Sequence, residues 1–261
     1  MVQRISILGG HGRDGRPDAI DRLDLQMGDI VSVVGLTGSG KTTLINDIEL
    51  FADADNPTGR RILIDDERPP EAYRDDPARN PIALITQHTT FLSDLPVDEF
   101  LRTHAGIRGG SPDEIEATVT QTLAFANQLT GEPIVLSSRM TELSGGQTRS
   151  LLIADATVIC DTPVVLLDEV ENAGINRSRA LELLRGYRKI FIFVTHDPRI
   201  ALLSDYRLIL KDGRIEQVLH TDERERELAP MVARLDDVLA DLRERIRAGA
   251  RIASFNTEFV A

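Results

Sequence analysis

Short apolar runs punctuate the chain at 29–34, 61–65, 82–86, 164–169 and 190–195. Runs of this length, rich in Val, Ile and Leu, predict strands, and Asp29–Val34 and Ile190–Thr195 read as buried ones. Residues 2–34 predict two or three strands around a glycine-rich turn from Gly9 to Gly15. Tyr206–Leu210 and Arg214–Glu216 predict a hairpin, with Asp212-Gly213 supplying the turn. Helical periodicity takes over elsewhere. It marks 44–50, 147–160, 177–188 and the block from about 93 to 141. In that block Ser111-Pro112-Asp113-Glu114 is a capping box with Pro at the first helical position. Ile115, Val119, Leu123, Ala126 and Leu129 come after it at spacings of three and four, along one helix face. Loops are expected at 53–59 and 66–81. The last segment, 222–249, carries a stripe of Leu228, Met231, Val232, Leu235, Leu239, Leu242 and Ile246. Such a stripe fits a helix covering the core, or a contact with a second copy or a partner. Strands alternating with helices predict an α/β fold with a mostly parallel sheet and an inserted helical subdomain.

Composition narrows the function. The 261 residues, 41% of them hydrophobic, suffice for a sizeable core. Net charge is −12 and the pI about 4.9, which disfavours nucleic-acid binding through phosphate neutralisation and docking on anionic lipid. No apolar run approaches the roughly 18 residues of a membrane span. The N-terminal residues lead into glycines rather than a long apolar core, so no signal peptide is expected. The lone Cys160 rules out an intramolecular disulfide and any cysteine metal cluster, fits a reducing compartment, and reads as a small buried side chain.

Three stretches carry chemistry. Gly35-Leu36-Thr37-Gly38-Ser39-Gly40-Lys41-Thr42-Thr43 fits the phosphate-binding pattern G-x-x-x-x-G-K-[ST] between a predicted strand and a predicted helix. Glycines let the backbone wind round a phosphate chain with its N–H groups inward, and the helix N-terminus adds positive charge. Lys41 can reach the β- and γ-phosphates, and Thr42 can ligate Mg²⁺. Asp168-Glu169 at the end of an apolar strand can hold Mg²⁺ through Asp168 and polarise a water through Glu169. Ser144-Gly145-Gly146-Gln147 ahead of a helix makes a second anion site. One chain rarely needs two γ-phosphate sites, so this one is expected to serve a nucleotide held by another subunit.

Together these motifs, in this order over residues 2–220, resemble the ATP-binding-cassette (ABC) ATPase family. Gly35–Thr43 resembles its Walker A motif, Gln87 its Q-loop glutamine, Leu143–Gln147 its signature, Val164–Glu169 its Walker B, and His196 its switch histidine. The resemblance implies a P-loop cassette over 1–221, with an N-terminal antiparallel β subdomain and a helical subdomain inserted at about 93–141. Residues 222–261 complete the chain as a C-terminal helix and tail. It implies two cassettes pairing head to tail around two Mg·ATP, as homodimer or heterodimer. Glu169 would act on the water, His196 on the γ-phosphate, and Gln87 on Mg²⁺. The chain would be cytoplasmic, held at the inner membrane face when bound to a permease. Two roles are implied: the ATPase subunit of a membrane transporter, or a non-transport cassette that activates or assembles a soluble client enzyme. Three departures stand out. Gly9-Gly10-His11-Gly12-Arg13 lacks the family's adenine-stacking aromatic, leaving His11 or Arg13 as candidates. Asn172-Ala173-Gly174-Ile175 replaces the usual S-A-L-D. Ala154-Asp155-Ala156 replaces A-R-A.

Overall fold

Alternation along the central strands sorts the chain into two layers. On β3 (Ile30–Val34), Val31 and Val33 join one apolar cluster while Ile30 joins the other. The same split recurs where Val164 and Leu166 oppose Val165 and Leu167, as the two-residue period of a strand demands. The computed structural model describes residues 2–169 and 177–251; Asn172–Ile175 lies outside them. In chain order the elements are β1 (Arg4–Leu8), β2 (Arg22–Gln26), β3, α1 (Lys41–Glu49), β4 (Arg61–Ile64), α2 (Ala72–Asp75), β5 (Ile82–Thr86), α3 (Val97–Arg108) and α4 (Pro112–Leu129). Then come α5 (Gly145–Ala154), β6 (Val164–Asp168), α6 (Arg177–Arg185), β7 (Ile190–Val194), α7 (Pro198–Leu203), β8 (Tyr206–Lys211), β9 (Arg214–His220) and α8 (Glu223–Arg247).

The main sheet runs β5-β6-β7-β3-β8-β9, parallel throughout except for the β8–β9 hairpin. A smaller antiparallel sheet runs β2-β1-β4. It packs with Leu44, Ile45 and Ile48 of α1 on one face of the main sheet. The other face carries α3 to α7, through residues such as Leu101, Phe125, Leu151, Leu181 and Ile200. The fold is thus α/β with a mostly parallel sheet, as the run pattern predicts. In the capping box of α4, Ser111 N–H donates to the Glu114 carboxylate at 2.6 Å and Glu114 N–H donates to the Ser111 hydroxyl at 3.4 Å. In the β8–β9 turn, Asp212 and Gly213 both have positive φ, +52° and +87°, which a tight two-residue hairpin requires.

Five local expectations need correction. The 66–81 loop contains the short helix α2. The hairpin's second strand runs on to His220. The helix expected over 147–160 starts at Gly145 and ends as a π-type turn, Asp155–Ile159, after which Cys160 is half-buried rather than buried. The stripe on α8 does not seal the core. Ala229 is buried there, but Leu228, Met231, Leu235, Leu239 and Ile246 are exposed. The helix packs along α7, and its Ala229, Pro230 and Ala233 line, with Leu181, Arg185 and Leu203, a cavity of about 420 Å³.

Candidate active site

Strand register assembles the site. Asp168 pairs with both Thr86 and Val194, and Val33 also pairs with Val194. Neighbouring parallel strands therefore end in step, and the residues just beyond them meet at one edge: Gln87 after β5, Glu169 after β6, His196 past the end of β7, and Gly35 after β3. Open α/β sheets bind ligands at such carboxyl ends. A cavity of about 280 Å³ lies there, walled by Arg13, Thr37, Gly38, Gly40, Lys41, Thr42, Thr43, Gln87, Asp168 and Glu169. A larger one, about 580 Å³, lies across the loop, between Gly35–Ser39 and His196, Pro198 and Leu210.

The loop has the features an anion cradle needs. Helix α1 begins after Gly40 without any side-chain cap among the described residues and has no acid in its first turn. Its leading N–H groups are left for a ligand. Gly40 has φ +102°, and a Cβ there would lie 2.7 Å from Gly213 Cα, so only glycine fits. Ser39 Oγ is buried with no hydrogen-bond partner among the described residues, an orphan that a phosphate oxygen would satisfy. Lys41 is nearly buried, and its ammonium donates to the Gly35 and Leu36 carbonyls at 2.8 and 3.2 Å. The residues present therefore fit a bound polyphosphate.

Glu169 sits at φ +50°, a left-handed conformation that costs a non-glycine residue roughly 1–3 kcal/mol. Its N–H is anchored on the Val194 carbonyl at 3.0 Å, and its carboxylate lies 3.6 Å from His196 Nε2. Acid and imidazole thus face each other across the ends of β6 and β7.

The Ser144–Gln147 segment stands apart. It is not among the walls of either cavity. Ser144 and Gly145 are exposed at the start of α5. There Gln147 N–H donates to Ser144 Oγ at 3.3 Å, and the Gln147 side-chain oxygen accepts from Ser144 N–H at 2.9 Å. One turn further along, the Arg149 guanidinium donates to the Gln87 backbone carbonyl, tying α5 to the loop after β5.

A buried cation fixes the phosphate loop's helix to the smaller sheet. Arg60 is fully buried and donates to Asp18, to Asp47 of α1, and to the Gly213 carbonyl, the same glycine that crowds Gly40. Burial, aided by the negative charge of Asp18, pushes the Asp47 carboxyl up and outweighs the hydrogen bonds from Arg60 and Thr58 and the Arg60 charge. Asp18 is shifted the other way: burial raises it, but Arg60 and the Gly10 and Ile215 N–H groups more than offset that and hold it below its ordinary value.

Against this geometry the comparisons are decisive. A sequence model of the ABC transporter family matches residues 20–172. The chain belongs to this family. An uncharacterized ABC transporter ATP-binding protein of Methanocaldococcus jannaschii is 45% identical over 251 residues, 96% of this chain and 95% of its own length. The sulfate/thiosulfate import ATP-binding protein CysA of Mesorhizobium japonicum is 32% identical over 214 residues, 77% of this chain but 58% of that relative. Among solved structures, cbiO1 from Clostridium perfringens, part of the ABC transporter complex cbiONQ, has a TM-score of 0.65 at 20% identity, over 95% of this chain and all of that one. A dimeric post-hydrolysis ATP-binding cassette bound to ADP and Pi has a TM-score of 0.63 at 23% identity, covering 84% of this chain and 99% of that one. These structural likenesses show the fold. The family makes the chain an ATP-binding, ATP-hydrolysing cassette.

Within this ABC cassette the structure brings together Gly35–Thr43, Gln87, Asp168, Glu169 and His196 and leaves Ser144–Gln147 outside. Of the two candidates for the base, Arg13 lines the smaller cavity. His11 is exposed, with its ring against Gly59 and Nδ1 3.2 Å from the Gly12 carbonyl. Arg60 and Arg149 carry no sequence pattern that marks them. Asp155 was visible as a departure from the family, but its partners, His104 and Cys160, were not. Among the described residues no helix is long and apolar enough to cross a membrane.

Proposed function

We propose that this cassette works as one half of a head-to-tail pair that closes around two Mg·ATP and drives a conformational change in an attached membrane permease. The observation that carries the reading is the separation of the two anion sites: Lys41 lies in a walled cavity, whereas Ser144 and Gly145 are exposed and absent from its walls. A second copy, turned about, can bring each exposed signature to the other's open cavity.

Within one half, the Gly35–Thr43 backbone and Lys41 bind the phosphates, and Arg13 flanks them. Thr42, Gln87 and Asp168 would hold Mg²⁺, which when bound neutralises charge on the β- and γ-phosphate oxygens. Glu169 accepts a proton from the attacking water or orients it, and His196, beside that carboxylate, would steady the transferred group. Ser144, Gly145, Gly146 and Gln147 of the other subunit complete the site. The Arg149–Gln87 contact favours coupling, because the loop that reads the metal and the helix that carries the signature are joined. The exposed stripe on α8 favours a second reading of the partner, in which a soluble client enzyme rather than a permease receives the motion. Co-purification from native membrane and cytosol fractions separates the two.

Glu169→Gln should bind ATP and run as a dimer in size-exclusion chromatography with ATP present. Adding Ser144→Arg to that variant should keep ATP binding and abolish the dimer. A Glu169→Gln protein that stays monomeric with saturating ATP, or a double variant that still dimerises, would overturn the shared-site reading.

A further inference from the structure

We propose that His104, Asp155 and Cys160 form a binding site for a transition-metal ion, with Zn²⁺ the best match, on the helical layer away from the nucleotide. The proposal does not depend on the reading of the dimer.

The site is built by the π-type turn that ends α5. In an α-helix, residues five apart point about 140° away from each other, from 3.6 residues per turn. Here the Cys160 N–H donates to the Asp155 carbonyl at 2.9 Å, an i→i+5 bond. The widened turn brings Asp155 and Cys160 onto one face, toward α3. Such bulges frequently occur at functional sites. His104, on α3, meets both: its Nδ1 is 2.7 Å from Asp155 Oδ1, and its Nε2 is 3.9 Å from Cys160 Sγ. Cys160 Sγ is in turn 3.7 Å from Asp155 Oδ2. One ligand atom from each residue lies within 4.8 Å of the others.

Those separations are close to what a metal requires. Bonds of about 2.0–2.3 Å in a tetrahedron set ligand atoms roughly 3.3–3.7 Å apart. The thiolate's separations from imidazole Nε2 and from Asp155 Oδ2, 3.9 and 3.7 Å, need contract by only a few tenths of an ångström. The donor set selects the ion. One nitrogen, one sulfur and one carboxylate oxygen suit Zn²⁺ and its neighbours, whereas Mg²⁺ and Ca²⁺ take oxygen alone. Asp155 is almost buried, and the His104 side chain is 26% exposed. That leaves an entry path and a fourth position for water or an outside ligand. The Phe100 ring, 5.9 Å from the imidazole, walls one side. An ion here would fasten the far end of the helix that carries Ser144–Gln147 to α3, the first helix after the Gln87 loop.

The test uses the full-length chain, stripped of metal by a chelator and free of nucleotide. Co²⁺ is added first, because a thiolate ligand to Co²⁺ gives a near-ultraviolet charge-transfer band; Zn²⁺ is then used to displace it. One equivalent of Co²⁺ should bind with that band, and Zn²⁺ should erase the band and raise the Tm. Cys160→Ala should lose both the band and the thermal shift. Losing even an outer-shell partner of a metal commonly costs about 10–100-fold in affinity, so His104→Ala and Asp155→Asn should weaken Zn²⁺ by no less. Should either of those fail to fold, Cys160→Ala, the smallest change, decides. A wild-type chain that shows no charge-transfer band, or binds Zn²⁺ no better than Cys160→Ala, would overturn the site and leave an ion pair beside a thiol.

Discussion

Arg60 grips Asp18 with two parallel bonds, Nε to Oδ2 at 2.9 Å and Nη2 to Oδ1 at 2.8 Å, and both side chains are fully buried. Paired carboxylate and guanidinium planes make the strongest side-chain hydrogen bonds available. The pair sits where the loop after β1, the start of β4 and the β8–β9 turn converge, because Asp18 also accepts N–H bonds from Gly10 and Ile215 at 2.8 and 2.6 Å.

Breaking that pair should be costly and pH-dependent. Asp18→Asn leaves Arg60 with only Asp47 as an ionic partner, and breaking a buried pair typically costs about 3–5 kcal/mol. The carboxyl of Asp18 is held below its ordinary 3.8 in the folded chain. A lowered folded-state value contributes stability above the unfolded value and loses it as pH falls through the folded one. Urea midpoints of wild type and variant should therefore differ most near neutrality and converge below pH 3.8. A gap that widens in acid would contradict the assignment.

Lys41 and Glu169 should fail in different ways. Lys41→Ala removes a phosphate contact, so the thermal stabilisation by ATP, about 2.7 kcal/mol at a hundred times Kd in an intact site, should largely vanish. Glu169→Gln keeps the cavity wall, so ATP should still stabilise it while turnover drops by at least about 100-fold. Thermal shift and phosphate release, measured side by side, distinguish the two.

The α8 stripe gives a third check. Leu239 is exposed, so Leu239→Lys should change stability by no more than about 0.5 kcal/mol. Ala229 is buried, and Ala229→Arg should cost several times as much by burying a cation beside Arg185, Arg199 and Arg226. Equal effects in chemical denaturation would mean that the stripe, and not Ala229, faces the protein.

The run pattern read the parallel strands well because a buried strand has few other ways to look, and the phosphate loop because its glycines and lysine are tied to one geometry. The features it missed have physical reasons. Arg60 reads as a surface residue because arginine seldom enters a core unpaired; its two acids lie at positions 18 and 47, too remote in sequence to signal a pair. The π-type turn inserts one residue into a helical period, and that shift is what turns Cys160 toward His104. On α8 the periodicity announced an apolar face correctly but carried no information about what lies opposite. Only Ala229 and its small neighbours, invisible to a search for large side chains, mark the docked side. His11 and Arg13 were equally placed by spacing, and the turn of the backbone between them decided which one lines the cavity.

The Ser144 oxygen accepts the Gln147 N–H, yet a hydroxyl can accept and donate at once. Its lone pair is spent holding the helix end in shape, and its hydrogen stays uncommitted by that cap, directed by a rigid turn rather than a loose chain. An arriving phosphate oxygen would be able to take that hydrogen while the cap stays intact.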